Sequence, residues 1–280
     1  MPLEDDFCDI IKKARIGQAW SVEDVARMTG LPGADITALE RGDRPRDRIE
    51  VLALAKALGL RPGPVEQIAI EKWEPVIASP ISWVETVRGS VNGYGVQGYV
   101  VHDGEEALLI DTAYNAPAMI DVLSTRCLRL VGICLTHGHP DHADGIEQIL
   151  KFREAPVYLG VEDIDLLNWR PPVVQLKAPE HGQAIAVGRL RVHCLATPGH
   201  TPGGICYRID DESQPVCFVG DTLFAGSIGR SNPSTLYQTH LESVRTHVLG
   251  LPPEYRLLPG HGPATTVHEE LDHNPFASDH

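Results

Sequence analysis

One stretch decides the fold of this chain: Leu130-Val131-Gly132-Ile133-Cys134-Leu135-Thr136-His137-Gly138-His139-Pro140-Asp141-His142. Its apolar start is typical of a buried strand, and the turn that follows carries three histidines and one aspartate within six residues. Imidazole nitrogens and carboxylate oxygens are the ligands that zinc, iron and manganese accept. Such a cluster is unfavourable in a half-buried loop unless a cation compensates it. The stretch therefore predicts a catalytic metal site.

Length and composition are those of an ordinary globular protein. The 280 residues are enough for one large domain or two unequal ones, and 42% of them are hydrophobic. Apolar runs stay well below the roughly 20 residues that cross a bilayer. The acidic start Met1–Asp6 lacks the profile of a secretory signal, and the six cysteines show no C-x-x-C spacing. We therefore expect a reduced, cytoplasmic protein without a membrane partner.

Charge is distributed unevenly along the chain. The net charge is −14, which argues against a generic binder of nucleic acid or anionic membranes. Residues 1–72 hold 11 basic and 13 acidic side chains, whereas residues 73–280 hold 13 and 25. The strongly acidic part must therefore carry the metal site.

The first 72 residues have the spacing of short helices. Apolar side chains recur at helical intervals from Phe7 to Ala14, and Ser21 with Asp24 forms a capping box. Further helices are predicted over 34–41, 49–58 and 64–73. Two short helices joined by a turn that contains glycine suggest a helix-turn-helix.

The string from Trp20 to Leu60 resembles the repressor-type (Cro/C1, or XRE) helix-turn-helix family. Glu40-Arg41-Gly42-Asp43 closes the second helix of that motif, and Leu54-Ala55-Lys56-Ala57-Leu58-Gly59 lies in the fourth helix of the segment. The resemblance covers about residues 7–70. It implies a small all-α domain over residues 1–72.

Residues 73–280 change to strand patterns interleaved with helices, which indicates layers around a central sheet. A hairpin is predicted from Tyr99 to Ile110, with Asp103-Gly104 at its turn. Further strands are predicted at 184–195, 204–209, 216–219 and 255–258, and helices at about 118–128, 144–153, 161–169 and 235–249. The link Trp73–Ile81, with its two prolines, is the expected domain boundary.

Three more ligand candidates lie where a predicted strand gives way to a loop. They are His200, Asp221 and His261, each beside glycine or proline residues that would hold a rigid turn. Eight other histidines lack such spacing and are interpreted as surface or core residues.

The whole set resembles the metallo-β-lactamase-fold superfamily from about Glu74 to the C-terminus. The resemblance implies an α+β fold, an αββα sandwich, preceded here by the helical domain. It also implies two divalent ions, zinc first, with iron or manganese as alternatives. His137, His139 and His200 would hold one ion; Asp141, His142 and His261 would hold the other. Asp221 would bridge both with a hydroxide, which Asp141 would orient and deprotonate as the catalytic residue.

Within that superfamily, Gly220–Phe224, Pro259–Pro263 and Asn274–Phe276 look most like the glyoxalase II (hydroxyacylglutathione hydrolase) group, in its short bacterial form. This implies cleavage of a thioester to a carboxylate and a thiol. The chain ends 19 residues after His261, without the extension that grips glutathione in larger members. A lactone or another acyl thioester therefore stays open as the substrate.

β-Lactam hydrolysis and persulfide dioxygenation are the alternatives to thioester cleavage. The bridging aspartate, Asp221, is often missing from true β-lactamases of the family, so it argues against that activity. A persulfide dioxygenase-like enzyme would need one iron on His137, His200 and Asp221. The four further donors favour two metals.

Two hypotheses concern substrate and partner contacts. Arg230 follows the Asp221 loop at a distance that fits substrate contact or a fold-supporting salt bridge, and Asn92–Gly95 fits a loop over the site or a hairpin turn.

The helix that would contact DNA bases offers only Thr37 as an uncharged polar side chain for base contacts, and Asp35 would repel phosphate. Four arginines, at 41, 44, 46 and 48, could touch a DNA backbone. The helical domain therefore has two alternative roles. It could bind DNA through residues 20–48, in a regulator whose metal domain is a sensor, or it could serve dimerisation or partner docking.

Overall fold

A computed structural model describes residues 1–76 and 79–277 of the protein. The N-terminal part is helical, as predicted from the apolar spacing. It contains α1 (Phe7–Gly17), α2 (Val22–Thr29), α3 (Gly33–Leu39), α4 (Arg48–Ala57) and α5 (Pro62–Glu66), which continues as a π-helical turn, Gln67–Glu71. The predicted capping box begins α2: the Ser21 hydroxyl accepts from the Asp24 amide, and the Asp24 carboxylate accepts from the Ser21 amide. The helices are confirmed, while their assignment to the XRE-type family stays a prediction.

Within the described part of the chain, two six-stranded sheets follow. The first contains, in spatial order, β1 (Val84–Val91), β2 (Tyr94–Asp103), β3 (Glu106–Ile110), β4 (Arg129–Cys134), β5 (Val157–Tyr158) and β6 (Leu176–Lys177). The second contains β12 (Thr265–Thr266), β11 (Arg256–Pro259), β10 (Val216–Gly220), β9 (Ile205–Ile209), β8 (Leu190–Ala196) and β7 (Ala184–Val187). Strands β3 to β6 run parallel, as do β10 and β11; the other neighbours are antiparallel.

Helices cover the outer faces of both sheets. The first sheet is covered by α6 (Ala116–Thr125) and α8 (Ile146–Phe152), and the second by α9 (Tyr237–Ser243), which continues as a π-helical turn Val244–Val248, and α10 (Val267–His273). The short helix α7 (Pro140–Ala143) lies in the turn after β4. Short 3-10 turns occupy Val161–Leu166 and Ser234–Leu236. The predicted α+β sandwich is thus confirmed. The predicted strand 184–195 is a hairpin, because the chain turns at Gly188, whose φ is +56°.

The apolar core of residues 1–76 and 79–277 has three parts. Tyr99, Tyr207 and Phe218 pack between the two sheets, while Met119 and Ile149 pack between the first sheet and α6 and α8. Burying each such side chain stabilises the fold by about 1.5–3 kcal/mol. The third part lies on the outer face of the second sheet, and there the N-terminal helices join α9 and α10 in one continuous cluster.

The N-terminal helices therefore share a core with the sheets. Ile10 and Ile11 of α1 are fully buried in the same cluster as Val219 and Val244. The Arg61 amide donates to the Pro275 carbonyl at 2.9 Å. The predicted link 73–81 includes residues 77 and 78, which lie outside the described residues, so the domain boundary stays a prediction. None of the described helices has both the length and the apolar character that a membrane crossing demands.

Candidate metal centre

The seven predicted donors lie at the carboxyl ends of strands. Residues 137–142 follow β4, His200 follows β8, Asp221 follows β10, and His261 follows β11. Glycine permits this crowding, since a Cβ on Gly260 would overlap the ring of His142, and one on Gly220 would overlap Thr136. One end of the sandwich thus collects side chains that are up to 124 residues apart in the sequence.

The structure brings all seven donors together. In each of three groups, the candidate ligand atoms lie within 4.8 Å of one another. The groups are His137, His139 and His200; Asp141, His142 and His261; and His137, His142 and Asp221. The first two are the triads that the family resemblance implies for two separate ions.

Asp221 lies between the two triads. One carboxylate oxygen, Oδ1, is 3.3 Å from His142 Nε2 and 3.7 Å from His261 Nε2. The other, Oδ2, is 3.5 Å from His200 Nε2. This is the position that a bridging carboxylate needs, with one oxygen towards each set of imidazoles.

Hydrogen bonds on the far side of three rings fix their orientation. His142 Nδ1 lies 2.8 Å from the Asp111 carboxylate, His200 Nδ1 lies 2.7 Å from the Arg230 carbonyl, and His261 Nδ1 lies 2.6 Å from the Gly95 carbonyl. Each bond makes Nδ1 the protonated nitrogen and leaves the Nε2 lone pair directed into the cluster. Such outer partners are a regular feature of histidines that bind metals.

Two polar atoms in the cluster are buried without a hydrogen-bond partner. His137 Nε2 and Asp221 Oδ1 make no hydrogen bond of acceptable geometry with any described residue. Leaving a buried polar atom unsatisfied costs about 1–3 kcal/mol. Divalent ions would satisfy both atoms, so the donor set fits metal ions.

The protonation preferences of His137, His200 and Asp221 agree with that fit. Burial lowers the pKa of His137 well below its usual range and lowers the pKa of His200 to about 4. Burial opposes ionisation of Asp221, but the nearby His261 and His142 hold its pKa well below the ordinary value. Neutral imidazole and ionised carboxylate are the forms that bind metals. Burial lowers the pKa of His142 and of His261, but nearby carboxylates, Asp221 above all, outweigh burial and raise the pKa of both, to about 9 for His261, so these two histidines would release a proton when a metal binds.

Two residues that the sequence interpretation missed support the donors. Asp111, directly after β3, is 2% exposed and accepts from the Thr136 amide at 2.7 Å, the Thr136 hydroxyl at 2.8 Å and His142. Asp163 is fully buried and accepts from the Gly138 amide at 3.1 Å and the Thr201 hydroxyl at 2.6 Å. Asp163 thereby ties the His137–His142 turn to the His200 loop.

A cleft of about 340 Å³ opens onto the cluster. Arg230 is exposed and lines it, and its side chain forms no ion pair with any described residue. Of the two predicted roles for Arg230, the fold-supporting salt bridge is therefore not seen within residues 1–76 and 79–277. The Asn92-Gly93 turn joins β1 to β2 with φ values of +53° and +88°, so the hairpin turn is confirmed. Asn92 and Tyr94 also line the cleft.

Comparison with known proteins identifies the family. The model of the Metallo-beta-lactamase superfamily matches residues 91–261. The chain belongs to this superfamily. The match ends on the last of the seven donors, and metal-dependent hydrolysis is the activity that its relatives support.

Three proteins that resemble this metallo-β-lactamase-fold chain illustrate the range of activities among them. It is 27% identical over 200 residues to the "Probable polyketide biosynthesis zinc-dependent hydrolase PksB" of Bacillus subtilis, covering 69% of this chain and 86% of that one. It is 32% identical over 189 residues to hydroxyacylglutathione hydrolase GloC of Haemophilus influenzae, covering 62% and 88%. The crystal structure of BLEG-1 B3 metallo-beta-lactamase superposes with a TM-score of 0.62 at 28% identity, covering 70% of this chain and all of the other.

The helical segment lies outside the family match. Two of the arginines proposed to touch DNA are engaged in ion pairs: Arg46 with Glu50 at 2.8 Å, and Arg48 with Glu66 at 2.7 Å. These pairs reduce the positive charge available to a phosphate backbone. DNA binding through residues 20–48 stays a prediction, as does dimerisation.

Proposed function

We propose that this chain is a binuclear metal-dependent hydrolase that cleaves an acyl thioester to a carboxylate and a thiol. The observation that carries the proposal is the pair of donor triads with Asp221 between them. A mononuclear site of two histidines and Asp221 would leave His139, Asp141, His142 and His261 clustered without a role.

Seven residues would hold the ions. His137, His139 and His200 would form one set, Asp141, His142 and His261 the other, and Asp221 would be shared. When bound, divalent ions supply Lewis acidity, which ionises water near neutral pH and polarises a substrate carbonyl. Zinc is the metal that we propose, and the name of the Bacillus relative supports it.

Asp141 is the carboxylate best placed to handle a proton. Its side chain is 28% exposed and lines the cleft, and its Oδ2 lies 3.3 Å from His261 Nε2. Burial raises the pKa of Asp141, but the neighbouring His261 and His142 outweigh burial and lower it. Asp141 is therefore ionised at neutral pH, so it can orient an attacking water in the cleft and accept its proton.

The likeness to hydroxyacylglutathione hydrolase GloC supports a thioester as the substrate class. The exposed Arg230 on the cleft wall would contact an anionic part of that substrate. Hydrolysis of a β-lactam is a second candidate, which the likeness to the BLEG-1 structure favours.

A substrate panel with matched variants tests the proposal. Purified protein is assayed with S-lactoylglutathione, a homoserine lactone and a chromogenic cephalosporin. We expect the thioester to have the highest kcat/KM, His139→Ala and Asp221→Ala to abolish turnover, and the exposed His268→Ala to leave it unchanged. Circular dichroism should show that both inactive variants keep the helical segment folded. Full turnover by either of them would refute the mechanism. A higher kcat/KM for the cephalosporin than for the thioester would show that the substrate is a β-lactam instead.

A further inference from the structure

The N-terminal segment forms part of the wall of the metal cleft. Glu4, Asp5 and Lys13 line the cleft together with the metal-site donors, although all three lie outside the family match. The Ser227 hydroxyl donates to the Asp5 carboxylate at 2.5 Å. The helical segment is thus built into the site itself.

Lys13 of α1 anchors that wall to the loop after Asp221. Its ammonium pairs with Asp5 and donates to the Ile228 carbonyl at 2.9 Å. It also lies 5.1 Å from the centroid of the Phe224 ring, which packs edge-on against His261. Since Lys13 has three partners within the protein, its role is to hold α1 in place.

A second cavity, which we call the seam cavity, adjoins the metal cleft. It measures about 150 Å³ and lies between α1 and residues 228–237. It shares the lining residues Lys13 and Arg230 with the cleft, so the two spaces meet at these side chains. A cavity of about this volume can hold a group the size of benzene. The seam cavity is therefore large enough for the end of a substrate.

The lining of the seam cavity is cationic in a chain whose net charge is −14. Among the described residues that line it, Lys12, Lys13 and Arg230 face one acidic residue, Asp9, and the charge of Lys13 is already paired with Asp5. Lys12 is exposed, and no described residue forms an ion pair with it or with Arg230. Ile16 and Tyr237 add apolar surface beside these charges. An anionic group on an apolar stem matches this lining.

We propose that the seam cavity binds the anionic end of the substrate's thiol half, with Lys12 and Arg230 as its charged contacts. This inference rests on the proposed thioester hydrolysis for its choice of ligand. Thiol halves of biological thioesters carry carboxylates, as in glutathione, or phosphates, as in coenzyme A. Both chemistries pair well with guanidinium and ammonium groups. A helix outside the family match thereby sets substrate specificity.

Calorimetric titration of the full chain tests the seam cavity without turnover. The ligands are S-methylglutathione, desulfo-coenzyme A and the neutral N-acetyl-S-methylcysteamine. We expect one of the two anionic ligands to bind, and both Lys12→Glu and Arg230→Gln to weaken that binding about tenfold or more. The matched control is Lys56→Glu, an exposed lysine on α4 that makes the same change in charge away from the cavity. It should stay within about twofold of the wild type.

Three results would overturn the inference: neither anionic ligand binds, the two variants bind as the wild type does, or Lys56→Glu weakens binding equally. The ligand that binds identifies a carboxylate or a phosphate as the recognised group. With the corresponding thioester, Lys12→Glu should raise KM more than it lowers kcat. Binding that depends on Lys12 and Arg230, in a protein that hydrolyses no thioester, would refute the proposed function and leave the seam cavity as an anion site.

Discussion

Replacing Asp111 by asparagine tests whether the outer partner of His142 controls metal binding. The Asp111 carboxylate is buried and accepts three hydrogen bonds, at 2.7 Å and 2.8 Å from Thr136 and 2.8 Å from His142 Nδ1. Asparagine keeps one oxygen acceptor, but its amide would face a donor. It also tolerates the left-handed conformation that Asp111 adopts at φ +56°, so backbone strain does not confound the change.

The expected loss follows from the removed contacts. Loss of an outer partner weakens metal affinity by about 10–100-fold, which corresponds to about 1.4–2.7 kcal/mol. The charged hydrogen bond to His142 alone contributes about 1.5–3 kcal/mol, which agrees with that range. Asp111→Asn should therefore lower the affinity of the metal position that Asp141, His142 and His261 would form by about one to two orders of magnitude.

Competition with a chromophoric zinc chelator measures this affinity directly. The matched control is Asp103→Asn, which removes a carboxylate that pairs with the exposed Arg189 at 3.0 Å, away from the cluster. Thermal unfolding without metal should show that both variants are folded. Equal zinc affinities for the wild type and Asp111→Asn, within about twofold, would refute the role given to Asp111.

Three further predictions concern packing, pH and DNA. A Cβ on Gly17 would overlap the buried ring of Tyr237, so Gly17→Ala should destabilise the protein by about 1–3 kcal/mol in urea unfolding, whereas Gly63→Ala, with open space around it, should not. Burial raises the pKa of Glu270 from 4.5 to about 7. The free energy of unfolding should therefore be highest below pH 4.5 and fall by about 3 kcal/mol as the pH rises to 7, because the buried carboxyl must then ionise. Glu270→Gln should thus gain stability relative to the wild type between pH 5 and pH 8, and a constant difference in melting temperature would contradict this. Gel shifts at a series of salt concentrations test DNA binding by residues 20–48. A DNA affinity that falls steeply as salt rises supports binding, and a slope of affinity against salt near zero excludes it.

The donors could be predicted because each carries a local signal. Histidines crowd into residues 137–142, and the other three donors each follow an apolar strand within a glycine-rich or proline-rich turn. Strand ends of one sandwich meet at the same edge, so these local patterns, taken together with the family resemblance, identify a site assembled from distant segments.

The supporting residues could not be found in this way. Asp111 is a single aspartate after a buried strand, and its partner His142 is 31 residues away. Lys13 lies 215 residues from Ile228, in a segment predicted to be a separate domain. Their roles depend on tertiary contacts that leave no periodicity in the sequence.

Strand β1 was missed for a related reason. Only Val87 is buried among its eight residues, so the alternation that indicates a strand is weak. Strands β5 and β6 contain two residues each, too few to show any period.

Metal content per chain tests the central claim most directly. Untagged protein, purified without added metal and then dialysed against a small excess of zinc, is measured by inductively coupled plasma mass spectrometry. We predict about two ions per chain for the wild type and substantially less than two for Asp221→Ala, since this carboxylate lies between both triads. A wild-type content near zero or near one would contradict a binuclear centre formed by these seven residues.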